Sequence, residues 1–400
     1  MTSLQTQATY PVGTNANDVV VTQVSTPEEK KQFIMFQYEV YKNDPSFVPP
    51  LLMDREDFLN PKKNPFFSHS PVQLFLARRG GVVVGRIAAI ENTRYNEFQG
   101  TKIGWFGLYE AIDDMAVSKA LLDAASQWVK ARGMTEFLGP ANFSSNQDWG
   151  ALVEGFDAPP VLMMTYNPRY YLTQYEAYGL KKVKDLWAWK VDINKPLPEK
   201  VARIAEKVRE REDIKVRQAN MKDWANEVKR IKDIYNSAWE KNWGFVPMTD
   251  AEFDHLAKDL KLILLPEFTL LAEVNGEAVA FCITLPDANF AFKAANGRLT
   301  TFGLPIGLVK LLWTMRKIKS GRLAIMGIKP GYRKRGIDSV LFKDTFAAGK
   351  KAGWTGGEIS WTLEDNDMVN RPIQVFGAER YKTYRVYGMP LEASAAALPN

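Results

Sequence analysis

The segment Lys329-Pro330-Gly331-Tyr332-Arg333-Lys334-Arg335-Gly336-Ile337-Asp338 carries the chemistry that stands out first. It follows the apolar run Leu323-Ala324-Ile325-Met326-Gly327-Ile328 and leads into a helical pattern that begins at Ile337. A basic, glycine-bearing turn that enters a helix is an anion site on physical grounds. The first N–H groups of the helix lack intrahelical partners, the helix dipole adds positive potential, and Arg or Lys supplies charge. Gly336 allows the backbone to approach a phosphate closely. Gly327 inside a strand marks a bulge or a close backbone approach. The expected anion site therefore runs from Met326, Gly327 and Ile328 through Arg333, Lys334, Arg335 and Gly336 to Ile337, Asp338 and Ser339. A merely solvated basic turn has the same composition, and short motifs misfire often.

The loop belongs to a duplicated pattern. Leu76-Ala77-Arg78-Arg79-Gly80-Gly81-Val82-Val83-Val84-Gly85 is echoed by Leu271-Ala272-Glu273-Val274-Asn275-Gly276-Glu277-Ala278-Val279-Ala280, each reading as a hairpin. Phe47-Val48-Pro49 recurs as Phe245-Val246-Pro247. Leu121, Gly133 and Asn146 align with Leu341, Gly353 and Asn366, with a Gly-terminated helix between them in both copies. Tyr178-Gly179 matches Phe376-Gly377. Each copy reads strand, helix, hairpin, strand, helix, strand, helix, strand.

That alternation predicts an α/β protein: an α+β mixed sheet flanked by helices, built as two tandem domains. The expected boundaries are a flexible tail over 1–17, domains over 18–193 and 194–392, and a tail over 393–400. Prolines at 196 and 198 favour an extended join. Offsets between the copies place extra sequence at Asn289–Ser320 in the second and between Asn146 and Gly179 in the first. The first copy has Asp113-Asp114-Met115-Ala116 where the second has Arg333-Lys334-Arg335-Gly336. An anionic ligand should avoid that site, so one such ligand per chain is expected.

Composition agrees with this picture. The chain has 400 residues, 24% charged, with a formal net charge of +6. That charge favours anionic partners without choosing among them. Cys282 is the single cysteine, which rules out an internal disulfide and a Cys-based metal cluster. His69 lies in a turn ahead of the first hairpin; its type suits proton transfer, although a structural hydrogen bond explains it as well. His255 shows no ligand spacing, and no metal site is expected. The N-terminus lacks the pattern of a secretory signal, so a cytoplasmic location is expected. Residues 302–319 combine apolar bulk, Trp313 and Lys310, Arg316, Lys317 and Lys319. They fit an interfacial helix on an anionic membrane, at the inner face of the membrane, or a helix packed on the core.

The strand, the loop Arg333-x-x-Gly336-x-Asp338, the Gly-terminated helix, then Asn366 and Gly377-Ala378 resemble the GNAT acyl-CoA N-acyltransferases. The resemblance implies acyl-CoA as cosubstrate, with the backbone of the loop on the coenzyme A pyrophosphate and Asn366 beside it. Asp338 departs from the small residue usual at that place. The family's Tyr acid would fall at Ile373. Direct transfer to an amine is implied, with backbone N–H near Gly327 and Ile328 on the oxyanion and a carboxylate as base. Glu364 and Glu358 are the candidates for the base; Tyr384 and Tyr381 could replace the missing acid. Each reads equally as a surface carboxylate or a strand aromatic. Phe47-Val48-Pro49-Pro50, Pro65-Phe66-Phe67-x-His69, Gly85-Arg86-Ile87-Ala88 and Gly155-Phe156-Asp157-x-Pro159-Pro160 resemble a bacterial group of doubled GNAT proteins like the bacterial ceramide synthases, which acylate a long-chain amino alcohol. Two other functions fit the same residues. One is an aminoacyl-tRNA-dependent transferase, against which no basic tract or stacking motif for nucleic acid is found. The other is a non-catalytic acyl-CoA or lipid-binding protein.

Overall fold

The computed structural model describes residues 18–211, 213–239 and 242–391, so the tails expected over 1–17 and 393–400 lie outside the described residues. Thirteen strands form one sheet. In chain order they are β1 (Val20–Gln23), β2 (Val72–Arg79), β3 (Val82–Ile90), β4 (Ile103–Ala111), β5 (Glu136–Gly139), β6 (Ala151–Glu154) and β7 (Lys181–Asp192). The second copy supplies β8 (Ile214–Gln218), β9 (Thr269–Val274), β10 (Glu277–Pro286), β11 (Ser320–Ile328), β12 (Gly356–Leu363) and β13 (Glu379–Pro390).

Period-2 alternation assigns the two faces. Phe75, Ala77, Ile87 and Ala89 pack with helix Met115–Ala131, while Leu76, Ala88 and Ile90 pack with Phe33 and Ile34 of helix Pro27–Val40. The same division holds in the second copy. Ala272, Ala280 and Cys282 meet helix Ile337–Lys351, and Leu271, Phe281 and Ile283 meet helix Trp224–Trp239. Thr26 starts helix Pro27–Val40 with a complete capping box through Glu29, and Thr249 does the same for Asp250–Lys261 through Glu252.

The sheet order is β1-β2-β3-β4-β5-β13-β7-β12-β11-β10-β9-β8, with β6 also on β13. The last strand of each copy thus lies beyond the last strand of the other. β13 pairs with β5 of the first copy, and β7 pairs with β12 of the second. The two then pair antiparallel at the centre, from Glu379↔Lys190 to Gly388↔Lys181. Neither sheet half is complete without a strand of the other, so the copies are joined by backbone hydrogen bonds as well as by packing.

Each copy contains one parallel pair. β4 and β5 pair only from Ile103↔Glu136 to Trp105↔Leu138, and β11 and β12 only from Ser320↔Gly356 to Leu323↔Ile359. Beyond those residues the parallel ladder ends in each copy; in the first the chain stays against β4 as far as Asn142, with Ala141 N donating to Phe106 O at 2.8 Å, and the gap opens past it. The element order of the repeat appears as the sequence implies. Helix Glu199–Arg211, not foreseen, precedes β8 and ties to helix Ile337–Lys351 through Arg209 and Asp344 at 2.7 Å. The inserted sequence after β10 forms two short helices, Asn289–Ala295 and Ile306–Met315.

Candidate functional site

The basic loop of the second copy lies where the sequence places it, between β11 and helix Ile337–Lys351, but its cations do different things. Arg333 donates to Ala238 O at 2.6 Å, Ile328 O at 3.3 Å and Ser237 O at 3.4 Å. Its guanidinium fastens the loop to the carbonyl end of helix Trp224–Trp239, where a cation also suits the helix dipole. Lys329 is held by Asp233 and Glu277. Arg335 lies over the Tyr332 ring, 5.0 Å from its centroid. Lys334 is exposed, at φ +61°.

Gly336 caps the helix in the left-handed region at φ +84°, and a Cβ there would stand 2.8 Å from Val208. Both facts require glycine. Asp338 sits in the first turn. Burial raises its pKa, against which the N–H groups of Ser339 and its own residue act. A carboxylate beside these donors competes with a pyrophosphate for the helix start. In the first copy that place is closed outright. Asp114 caps helix Met115–Ala131, accepting from Ala116 and Val117, and pairs with Arg79 at 2.8 Å.

Gly327 has a packing reason: a Cβ would lie 2.6 Å from the Trp239 ring. The bulge falls earlier, at Ala324, because β10 pairs Ile283 with Ile325 and Thr284 with Leu323. Met326 and Ile328 are half-buried against the second copy's core.

A buried polar cluster lies where the copies meet. Glu358 accepts from Ser360 Oγ and Tyr381 OH and is 3% exposed. Arg322, its register partner on β11, donates to Ser360 Oγ at 2.8 Å and to Leu162 O and Met163 O at 3.1 and 3.2 Å. Lys382 donates to Pro159 O at 2.7 Å. Asp287 accepts from the N–H groups of Leu162 and Asn289. The connection Pro159–Met164 of the first copy is thereby held by Arg322, Lys382 and Asp287 of the second, and by Asn289 Nδ2, which donates to Pro160 O at 2.7 Å. Tyr384 is fully buried near Glu358, and its hydroxyl has no partner among the described residues.

Burial pushes the Asp287 carboxyl up to about 6, against the pull of its two N–H donors and of Lys382. Its folded pKa exceeds its unfolded one, so its contribution to stability is full at acid pH and falls as pH rises through about 6. Asp287→Asn keeps the acceptor oxygen and removes the titration. From about pH 4 to about pH 6 the wild type should lose about 2–3 kcal/mol relative to this variant. Urea denaturation at a series of pH values measures it; parallel curves would contradict it.

A third cluster surrounds the gap between β4 and β5, where a cavity of about 280 Å³ opens. Glu110, 4% exposed, lines it. Tyr171 OH donates to Glu110 at 2.7 Å and Gln37 Nε2 at 3.0 Å, and Arg86 stands 3.6 Å away. Burial raises the Glu110 pKa; Arg86, Tyr171, Tyr41 and Gln37 oppose it. Leu108 takes a positive φ of 48° in the same strand and donates its N–H to Asn142 Oδ1 at 2.8 Å.

Of the expected catalytic residues, the structure brings Glu358, Tyr381 and Tyr384 together and separates Glu364 and His69 from them. Glu364 is at the end of β12, paired with Lys182 at 2.6 Å and accepting Asp185 N at 3.0 Å. His69 is 3.2 Å from Glu252 and links the first copy to helix Asp250–Lys261. Asn366 precedes helix Asp367–Val375 without a side-chain cap bond. Glu110 and Arg86 were not singled out as a pair. The signal was available: each is a lone charge within an apolar strand, in Gly104-Trp105-Phe106-Gly107-Leu108-Tyr109-Glu110 and Val82-Val83-Val84-Gly85-Arg86-Ile87. Among the described residues no group of three or more His, Cys, Asp or Glu could hold a metal ion.

Comparison with known proteins gives two relatives over nearly the full chain. The bacterial ceramide synthase of Caulobacter vibrioides (strain NA1000 / CB15N) is 40% identical, covering 94% of this chain and 98% of that protein. Protein YghO of Escherichia coli (strain K12) is 35% identical, covering 89% and 92%. Among solved structures, a tandem GNAT protein from the clavulanic acid biosynthesis pathway matches with a TM-score of 0.54 at 10% identity, over 95% of this chain and all of that one (100%). The GCN5-related glucosamine N-acetyltransferase region of a fungal multi-domain β-N-acetylglucosaminidase gives 0.54 at 16% identity, over 93% of this chain and 38% of that one. At such identities these structures speak for the fold. No protein-family model matches the chain.

Proposed function

The chain belongs to the tandem GNAT N-acyltransferase family that includes the bacterial ceramide synthase of Caulobacter vibrioides, and from that premise we propose that it transfers an acyl group from acyl-CoA to the amine of a long-chain lipid. The observation that carries this reading is the division between the copies. Only the second presents a glycine-hinged basic loop at a helix start, at Lys334, Arg335 and Gly336; the first closes the same place with Asp114. Acyl-CoA supplies the thioester carbonyl. The first N–H groups of helix Ile337–Lys351 and the Lys334 charge would hold its phosphates. The gap that opens beyond Leu323 and Ile359 frees the facing edge of β11, where backbone N–H can meet the carbonyl oxygen.

The test is release of free coenzyme A thiol from palmitoyl-CoA, with a long-chain 2-amino alcohol as acceptor. Thiol release that depends on the amine is expected. Transfer only from an aminoacyl-tRNA, or acyl-CoA binding with no turnover across many amines, would overturn the proposal.

A lipid acceptor must be collected from a membrane, and the inserted helices offer a surface for that. Phe302 is 97% exposed, and Leu304, Val309, Leu312 and Trp313 are at least half-exposed. No Asp or Glu occurs between Asp287 and Asp338, while Lys310, Arg316, Lys317 and Lys319 surround the apolar residues. Apolar bulk with only cations around it fits an anionic bilayer at the inner membrane face. No helix among the described residues is long and apolar enough to cross a membrane, so contact would be peripheral. We expect co-sedimentation with phosphatidylglycerol vesicles and little with phosphatidylcholine vesicles. Lys310→Glu with Lys317→Glu should weaken it about tenfold or more, at about 1 kcal/mol per cation. Equal binding to both vesicle types would exclude this surface.

A further inference from the structure

The first copy has lost the phosphate loop, yet it keeps a buried charge pair that the second copy lacks at the corresponding place. Register fixes the correspondence. Glu110 pairs with Arg86 across β4 and β3, and Gly327 pairs with Phe281 across β11 and β10. Gly85↔Ala111 and Ala280↔Ile328 flank the two pairs identically. The second copy therefore has glycine for the acid and phenylalanine for the base, and the Trp239 ring packs against that glycine. Tyr175, which lines the first cavity, stands four residues before Gly179, and Ile373 stands four residues before Gly377. Each copy retains what the other has given up.

We propose that the cavity of the first copy is the binding site for the polar head of the amine acceptor, with its ammonium group against Glu110. The inference rests on the lipid-amine function proposed above.

Size comes first. A cavity of about 150 Å³ holds benzene, and this one is about 280 Å³; an amino alcohol head fits. Charge comes second. The charged groups on its wall are Asp54, Arg55, Arg86, Glu110 and Asp148, so carboxylates outnumber cations. That balance favours an ammonium over a phosphate or carboxylate. Capacity comes third. A carboxylate has about four acceptor sites; Tyr171 and Gln37 donate to Glu110 and Tyr41 also stands against it, which leaves about one. Burying such a group is unfavourable unless it is paired, and Arg86 stands 3.6 Å off, beyond a direct hydrogen bond. An ammonium would add the close charged partner.

The fourth argument is the exit for an alkyl chain. Phe292 lines the cavity and belongs to helix Asn289–Ala295. Phe290, on the same helix, is 55% exposed. That helix packs with Ile306–Met315, the apolar helix with the exposed face. Met163 and Phe292, both on the cavity wall, also belong to the apolar cluster that contains Ala324 and Ile325, where β11 leaves β12. The cavity wall and the edge of β11 thus share one apolar cluster, and the amine must leave Glu110 and lose its proton before it meets the thioester.

Two measurements test the site. The first is the thermal shift given by a long-chain 2-amino alcohol alone, without acyl-CoA, on the wild type, Glu110→Gln and Val48→Trp. Val48 lines the cavity, is half-buried and is not part of the charge pair. The second is the KM for each substrate by thiol release. The wild type should shift, and both variants should lose most of that shift. Their KM for the amine should rise about tenfold or more, as for a lost hydrogen bond to a charged group, while the KM for acyl-CoA stays within about twofold. No shift in the wild type, or an unchanged KM for the amine in both variants, would overturn the site. A wild-type shift that both variants lose, with no turnover of any amine, would support the site and refute the catalytic proposal.

Discussion

An Arg322→Met variant is expected to lose about 3–5 kcal/mol of folding stability, because buried acceptors lose their charged donor and Glu358 loses a neighbouring cation. Arg322 is 5% exposed and makes four hydrogen bonds, to Ser360 Oγ, Ser360 O, Leu162 O and Met163 O. Methionine fills a similar volume and donates none of them. Three buried carbonyls then lose a charged donor, and Glu358 loses its register partner, with Lys382 left as the near cation. Leu162 and Met163 belong to the first copy and Arg322 and Ser360 to the second, so the loss loosens the contact between them. The contrast is Lys119→Ala, which removes a pair with Asp123 whose lysine is 69% exposed and should cost under about 0.5 kcal/mol. Adding Glu358→Gln to Arg322→Met should restore part of the loss, because the uncompensated charge disappears. Urea denaturation of the four proteins decides it. A loss under about 1 kcal/mol for the single variant would mean that packing and strand exchange alone hold the copies together.

The same cluster shows where sequence reasoning reached and where it stopped. The hairpins, the Gly-terminated helices and the basic loop were legible because each has a local cause: period-2 burial, left-handed caps at Gly133 and Gly353, and unpaired N–H groups at a helix start. The mixed sheet with helices on both faces followed from their alternation. The exchange of β7 and β13 was not legible. Both are amphipathic strands of the same kind, and which neighbour each chooses depends on contacts far apart in the chain, such as Ile359↔Trp189 and Tyr387↔Gly139. Arg333 shows a different limit. Its type and spacing suit a phosphate, but the carbonyls of Ser237 and Ala238, almost a hundred residues earlier in the chain, come within its reach. Glu358 could be read as a surface carboxylate because nothing near it in sequence announces Arg322 or Tyr381 as partners.

Gly336→Ala is the substitution expected to change activity most, and it is a sharper probe of the loop than any change at Arg333, whose side chain holds the loop to a helix end. Alanine at φ +84° is strained by about 1 kcal/mol, and its methyl meets Val208 at 2.8 Å. The neighbouring Lys334 already takes a positive φ of 61°, so the turn has little freedom to absorb the change. The loop must shift, and the N–H groups that would face a pyrophosphate shift with it. Loss of one or two charge-assisted hydrogen bonds, at about 1.5–3 kcal/mol each, predicts a fall in kcat/KM for acyl-CoA of about a hundredfold, carried by KM. Val208→Ala should relieve the clash but not the backbone strain, and so recover only part. Asp338→Ala should act in the opposite direction. It removes a carboxylate from the helix start, and it should tighten acyl-CoA binding by about fivefold if about 1 kcal/mol of repulsion is relieved. The two substitutions thus move the same constant in opposite directions from one helix start. If Gly336→Ala lowers stability yet leaves the KM for acyl-CoA unchanged, the donor is not held by this loop.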